Sequence, residues 1–235
     1  MERIIERTDD GSATLFVPEL NEHYHSTKGA RTESQHIFID MGLKASPAAT
    51  PRVLEIGFGT GLNAWLTLEE AERSRRNIHY IGLELYPLDW QTVEQLGYIS
   101  SDEQLTIHRK QTTTDEQFTP NEEKQQSAIE LFKQLHTSPW EKDVQLTPHF
   151  TLRKIETDVN KWRVENSPFN LVYFDAFAPE KQPEMWSQEL FNRLYVLLDR
   201  DGILTTYCAK GVVRRMLQTA GFTVERLPGP PGGKR

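Results

Sequence analysis

The loop Gly57-Phe58-Gly59-Thr60-Gly61 constrains this chain more than any other feature. It sits between a short apolar run, Arg52-Val53-Leu54-Glu55-Ile56, and a segment of helical composition, Leu62-Asn63-Ala64-Trp65-Leu66-Thr67-Leu68. Strand, glycine turn and helix follow one another without a spacer. Glycines there permit a tight turn and let backbone N–H groups approach a ligand with no Cβ in the way. A dinucleotide fingerprint, G-x-G-x-x-G, would need a glycine at 62, and that position is Leu62.

The rest of the chain supports one α/β unit built around this turn. Ile78 to Leu83 reads as a second strand ending at Glu84, Phe150 to Ile155 as a third running towards Asp158, and Asn170 to Phe174 as a fourth ending at Asp175. A helix near 186–197, a fifth strand over 202–207, a helix over 212–220 and a last strand over 222–227 complete the pattern. Strands alternating with helices predict a parallel sheet with right-handed crossovers and ligands at the carboxyl ends of the strands. Ahead of it, residues 12–17 and 36–40 have β-type composition and predict a small N-terminal β element. The expected division is 1–46, a β element and cofactor lid, and 47–235, a Rossmann-like domain with an insertion around 109–148. In that insertion Leu131 and Leu135 share a helical face; packing on the domain edge is favoured over a lid.

With 235 residues one catalytic domain is expected. The 27 basic and 34 acidic residues leave a net charge of −7, so a polyanion would have to meet a local basic patch. The single Cys208 excludes an internal disulfide and reads as a buried residue at a strand end. His23, His25 and His36 lack metal-ligand spacing, and no metal is expected. No leader and no span of about 20 apolar residues is present, which predicts a cytoplasmic chain. The Gly/Pro-rich ending at Pro228–Arg235 suggests that a few terminal residues are missing.

At a strand tip beside the glycine turn, the Glu84 carboxylate can accept hydrogen bonds from both ribose hydroxyls of a nucleoside. Asp158 could accept from an adenine amino group or simply cap the turn that follows. The most informative stretch is Asp175-Ala176-Phe177-Ala178-Pro179 with Pro183 and Trp186. It puts a carboxylate in the crevice and braces an apolar, stackable wall with prolines. Lys28, Arg31, Lys210, Arg214, Arg215, Lys234 and Arg235 would form a phosphate-binding rim if folding gathered them.

These segments, together with Tyr24-His25-Ser26, Ile37-Phe38-Ile39 and Lys210-Gly211-Val212-Val213-Arg214-Arg215, resemble the methyltransferase domain of the MnmC family, the bacterial tRNA 5-methylaminomethyl-2-thiouridine biosynthesis proteins. The resemblance covers nearly the whole chain; the tract from Thr112 to Lys124 is the part without a match. It implies a Rossmann-like fold and methyl transfer from S-adenosylmethionine to the exocyclic amine of a 5-aminomethyl uridine at the tRNA wobble position. It implies Asp175 as the catalytic residue. Glu55, Gly57, Phe58, Gly59, Thr60, Gly61, Asn63, Glu84, Asp158, Tyr24 and Ser26 are the expected cofactor contacts. Phe177, Pro179, Glu33, Gln35, Lys210, Arg214 and Arg215 are the expected contacts to the tRNA anticodon loop. In bifunctional members an FAD-dependent oxidase domain follows; a stand-alone relative and a fragment are both open readings of this chain, and a separate FAD-dependent oxidase is a partner only under the first. The rival readings are a small-molecule amine methyltransferase, an aminopropyltransferase of the spermidine-synthase type, and a non-catalytic cofactor- or RNA-binding relative. A cationic rim would favour tRNA and an acidic one a polyamine.

Overall fold

The computed structural model describes residues 2–9, 11–25, 29–108, 123–164 and 168–229. Three short antiparallel strands, β1 (Ile4–Arg7), β2 (Ala13–Val17) and β3 (Glu22–His23), form an N-terminal sheet in the order β1-β2-β3. The inward residues Ala13, Leu15 and Val17 are fully buried. A helix α1 (Ala30–Ser34) then widens into π-helical turns over Gln35–Leu43.

That helix replaces the strand expected over 36–40. Phe38, Ile39, Gly42 and Leu43 are its buried residues, a set spaced one helical turn apart rather than alternating. Phe38 lies 5.1 Å from the Tyr173 ring, and Gly42 lets the helix approach Thr205 and Tyr173 closely. Burial on one helical face outweighs the β propensity of Ile37 and Ile39, which is weak beside packing.

The central sheet has six strands: β4 (Arg52–Ile56), β5 (Ile78–Glu84), β8 (Asp143–Thr147), β9 (Phe150–Glu156), β10 (Phe169–Phe174) and β11 (Leu198–Thr205). Their order is β11-β10-β4-β5-β9-β8, parallel throughout except for β8, which runs antiparallel to β9. Buried on both faces, β4 and β10 read as near-continuous apolar runs. Chain order reverses between β4 and β10, and a ligand crevice is expected at that switch point. A separate two-stranded pair, β6 (Gln104–His108) and β7 (Glu123–Ser127), lies in the 109–148 region and its approach.

Helix α2 (Leu62–Ser74) follows the glycine turn and buries most of its length, with Trp65 fully enclosed. After α3 (Trp90–Glu94), helix α4 (Ala128–Thr137) is capped by Ser127 and sinks Leu131, Phe132 and Leu135 into the main core. Phe132 meets Trp65 edge-to-face at 5.6 Å. The amphipathic segment thus contributes to the core itself. Helices α5 (Gln188–Leu197) and α6 (Gly211–Ala220) cover the opposite face, around Phe174, Phe191 and Val213.

Two further expectations change. The fifth strand begins at Leu198 and ends at Thr205, so Tyr207 lies beyond it. Residues 222–227 are not a strand. Phe222 and Val224 do pack against the core while their neighbours are exposed, but no ladder partner exists among the described residues. Alternation records one buried face and cannot reveal whether a neighbouring strand is there. Cys208 is half-buried at the edge of the same core. No described helix is long and apolar enough to cross a membrane.

Candidate active site

A cleft of about 400 Å³ opens at the carboxyl ends of β4, β5, β9 and β10. The glycine loop forms its floor. Gly57 takes φ 89°, and a Cβ there would stand 2.8 Å from the Asp175 carbonyl oxygen. Gly61 takes φ 72°, and a Cβ there would meet His136 Nε2 at 2.7 Å. Gly61 is also the N-cap of α2 and offers no side-chain cap. The first-turn N–H groups of α2 are therefore left without a capping side chain, and such groups suit an anionic ligand group.

Glu84, at the end of β5, ties this loop down. One carboxylate oxygen accepts from Gly59 N at 2.8 Å and the other from Tyr86 N at 2.8 Å. Each oxygen has a second lone pair free for a ribose hydroxyl. Asp158 Oδ1 accepts from Asn160 N at 2.9 Å, bracing the turn that follows, and the residue also lines the cleft. Tyr24 covers Gly59 and meets Phe177 edge-to-face at 5.1 Å, so the two rings form one wall. Ser26, Lys28, Lys234 and Arg235 lie outside the described residues.

The loop after β10 is held by more than its prolines. Asp175 N donates to Ile56 O at 3.1 Å, Trp186 Nε1 to Phe177 O at 2.7 Å, and Tyr207 Oη to Ala176 O at 2.8 Å. Together they present the Asp175 side chain to the cleft. Asp175 is partly open to that cleft yet deep in the protein. Burial pushes its carboxyl up to about 7; the Glu33 charge adds to this, and the hydrogen bond from Asn63 opposes it. A carboxyl near 7 suits a proton acceptor working at neutral pH. Replacing Glu33 by Gln removes the repulsion and should move the ascending, low-pH limb of the pH–rate profile to lower pH. Methyl-transfer rates measured from pH 5 to 9 test this, and an unmoved limb would refute it.

Several expected contacts are not brought to the cleft. Glu55 is fully buried beneath the loop, hydrogen-bonded to Asn63, and does not line the cavity. Buried without a cation beside it, its carboxyl is raised well above the usual carboxylate range. Gly61 shapes the loop from behind, against His136. Gln35 donates to Asp40 at 3.0 Å, and Pro179 lies outside the lining. Lys210 pairs with Glu180, while Arg214 and Arg215 sit exposed on α6 away from the cavity. Arg31 makes a two-pronged bond to Glu69 at 2.9 Å, so it braces α2 and does not join a phosphate rim. The lining carries Glu22, Glu33, Glu84, Asp158 and Asp175 with no lysine or arginine. Among the described residues, no basic rim forms there.

Other lining residues come from distant segments. Tyr207, Met185, Gln182 and Tyr86 reach the cleft. His25 contacts Thr60 Oγ1 at 2.9 Å and is held neutral by burial, its pKa lowered to about 4. Gln182 and Met185 belong to the proline-braced stretch that stands out in the sequence, and His25 to the Tyr24-His25-Ser26 segment, whereas Tyr207 carries no sequence signal. Behind the loop, His136 Nε2 contacts Thr60 O at 2.9 Å, and the buried Lys154 donates to His136 O beneath the Trp140 ring. Among the described residues no His/Cys/Asp/Glu group could hold a metal.

Comparison with known proteins agrees with this geometry. Residues 119–235 match a family model described as S-adenosyl-L-methionine-dependent methyltransferase. The tRNA 5-methylaminomethyl-2-thiouridine biosynthesis bifunctional protein MnmC of Cupriavidus metallidurans is 29% identical over 100% of this chain and 34% of its own length. Its counterpart in Burkholderia multivorans is 28% identical over 95% of this chain and 32% of its own. The chain thus spans about a third of the length of these relatives. The crystal structure of MNMC2 from Aquifex aeolicus has the same fold, with a TM-score of 0.67 at 22% identity over 94% of this chain and 65% of that one. On these grounds the chain belongs to the S-adenosyl-L-methionine-dependent methyltransferases and is related to the methyltransferase domain of MnmC.

Proposed function

We propose that this chain methylates the exocyclic amine of a 5-aminomethyl uridine, with or without the 2-thio group, at the wobble position of tRNA. Asp175 carries the reading: a cleft carboxyl poised near neutrality, between an aromatic wall and a nucleoside-sized cradle. The cradle suits S-adenosylmethionine. The Gly57 and Gly59 backbone would face its amino-acid end, with Asn63 lying beneath it and Phe58 and Thr60 shaping the loop. Glu84 would take its ribose, Asp158 its adenine, and Tyr24 would close over it with residues 1–46 as the lid of the 47–235 domain. When bound, that cofactor supplies an electrophilic methyl group on a sulfonium centre.

The protein's residues do the rest. An alkylamine enters as an ammonium ion, which the carboxylates of the lining attract, and it must become neutral before its nitrogen can bond to the methyl carbon. Asp175 takes the proton. The wall of Tyr24 and Phe177 packs against the base, since unpaired RNA bases are read by stacking and edge contacts. It would also exclude water from the reacting groups, which need to approach within about 3–3.5 Å. Arg214 and Arg215, exposed on α6, would meet phosphates outside the cleft rather than the base. A separate FAD-dependent oxidase would act beside it in the cytoplasm.

One observation favours a second reading: the cleft lining is acidic, as a free polyamine would require. A single experiment separates the two. The protein is incubated with methyl-labelled S-adenosylmethionine and either tRNA bearing unmethylated 5-aminomethyl uridine or a polyamine. Label in the wobble nucleoside after digestion is expected. Label in the polyamine alone would replace the tRNA reading, and label in neither would refute both.

A further inference from the structure

Asn63, on the first turn of α2, is 2% exposed, and its side-chain nitrogen touches two carboxyls. Nδ2 donates to Glu55 Oε1 at 2.9 Å and to Asp175 Oδ2 at 2.8 Å. An amide nitrogen has two hydrogens, so both are used, one for each acid. The Asn63 carbonyl oxygen, by contrast, is buried with no hydrogen-bond partner among the described residues, and so is Glu55 Oε2. Leaving such atoms unpaired costs free energy, so this amide is oriented for its nitrogen.

We propose that Asn63 is a positioning residue for Asp175: its amide, anchored from behind by Glu55, holds Oδ2 and leaves Oδ1 as the oxygen that receives the substrate's proton. The inference rests on the reading of Asp175 as the proton acceptor. Glu33 from α1, Glu55 from β4, Tyr80 from β5 and Tyr207 after β11 also act electrostatically on or with Asp175. None of them is a cation, and Asn63 is the group whose hydrogen bond favours the ionised form. Glu55, whose carboxyl burial raises well above the usual carboxylate range, anchors the amide from behind.

The test uses the full chain, saturating S-adenosylmethionine and whichever acceptor gives product in the labelling experiment. Single-turnover methyl transfer is measured from pH 5 to 9.5 for wild type, Asn63→Ala and Asn63→Asp. Without the donor, Asp175 keeps its proton to higher pH. The Asn63→Ala limb should rise by about one pH unit, with a rate loss of about fivefold at pH 7 that largely recovers at pH 9. Asn63→Asp adds a third carboxyl and should move the limb further. It has the shape of Asn63 and carries the test if the alanine variant does not fold. Limbs that stay at the wild-type pH, with losses uniform across the range, would overturn the inference and leave the proposed function intact. Absence of any wild-type transfer would overturn the function on which it rests.

Discussion

Asp175→Asn should abolish methyl transfer while making the folded protein more stable. The loss follows from the chemistry: Asn cannot take a proton, and a positioned acid–base group contributes about 10²–10⁴-fold to rate. The gain follows from linkage. Burial raises the Asp175 pKa from the ordinary 3.8 to about 7 in the folded chain, so between those values the native state binds more protons than the unfolded one. Stability associated with this group is fully present below about pH 4 and is lost as pH rises through about 7. Asn pays no such cost, and its side-chain oxygen can still accept from Asn63. The variant should therefore melt at the wild-type temperature near pH 4 and several degrees higher at pH 8, since each kcal/mol is about 2–4 °C for a chain of this size. Melting curves at the two pH values, beside single-turnover rates, check both halves. A variant less stable than wild type at pH 8 would refute the assigned burial penalty.

Gly57→Ala should be the most damaging single-methyl change in the cleft. The position has φ 89°, which an L-residue rarely adopts, and the new Cβ would lie 2.8 Å from the Asp175 main-chain oxygen. That oxygen belongs to backbone, so neither side can yield by turning a side chain. Strained backbone of this kind costs about 1–3 kcal/mol before the clash is counted. Because the obstacle is the Asp175 segment itself, the substitution displaces the glycine loop and the proposed proton acceptor together. Cofactor affinity and the rate of transfer should each fall, the product of the two by more than about 100-fold, which is roughly 2.7 kcal/mol. Calorimetric titration of cofactor and single-turnover assays measure the parts separately. Gly97→Ala is the control, since it has φ 63° but nothing within 4 Å of a Cβ, and it should lose stability alone.

The contrast between these glycines shows where sequence reading stops. The alternation of apolar strands with helices, the turn at 57–61 and the carboxylates at strand ends were legible in the order of residues, because local periodicity and φ demands are local properties. So was the presence of Asp175 at the crevice, through its neighbours Phe177, Pro179 and Trp186. The helix over Gln35–Leu43 was not legible: its composition favours β, and only the presence of Tyr173 and Thr205 opposite makes a helical face pay. Nor was the fate of the basic residues. Arg31 and Lys210 are consumed by Glu69 and Glu180, partners 38 and 30 residues away, and charge spacing along a chain says nothing about such pairings.

By itself, then, the sequence determined that a glycine cradle would follow the first core strand and that a carboxylate would close the fourth, since both are demands of backbone and residue type. Tertiary structure alone decided what those groups became. By placing β4 beside β10, it set the Gly57 backbone against Asp175 and let one amide of Asn63 join the acid beneath the loop to the acid above it. It also withdrew Glu55 from the ligand and raised Asp175 to about 7, because desolvation depends on everything that surrounds a group and not on its neighbours in the chain.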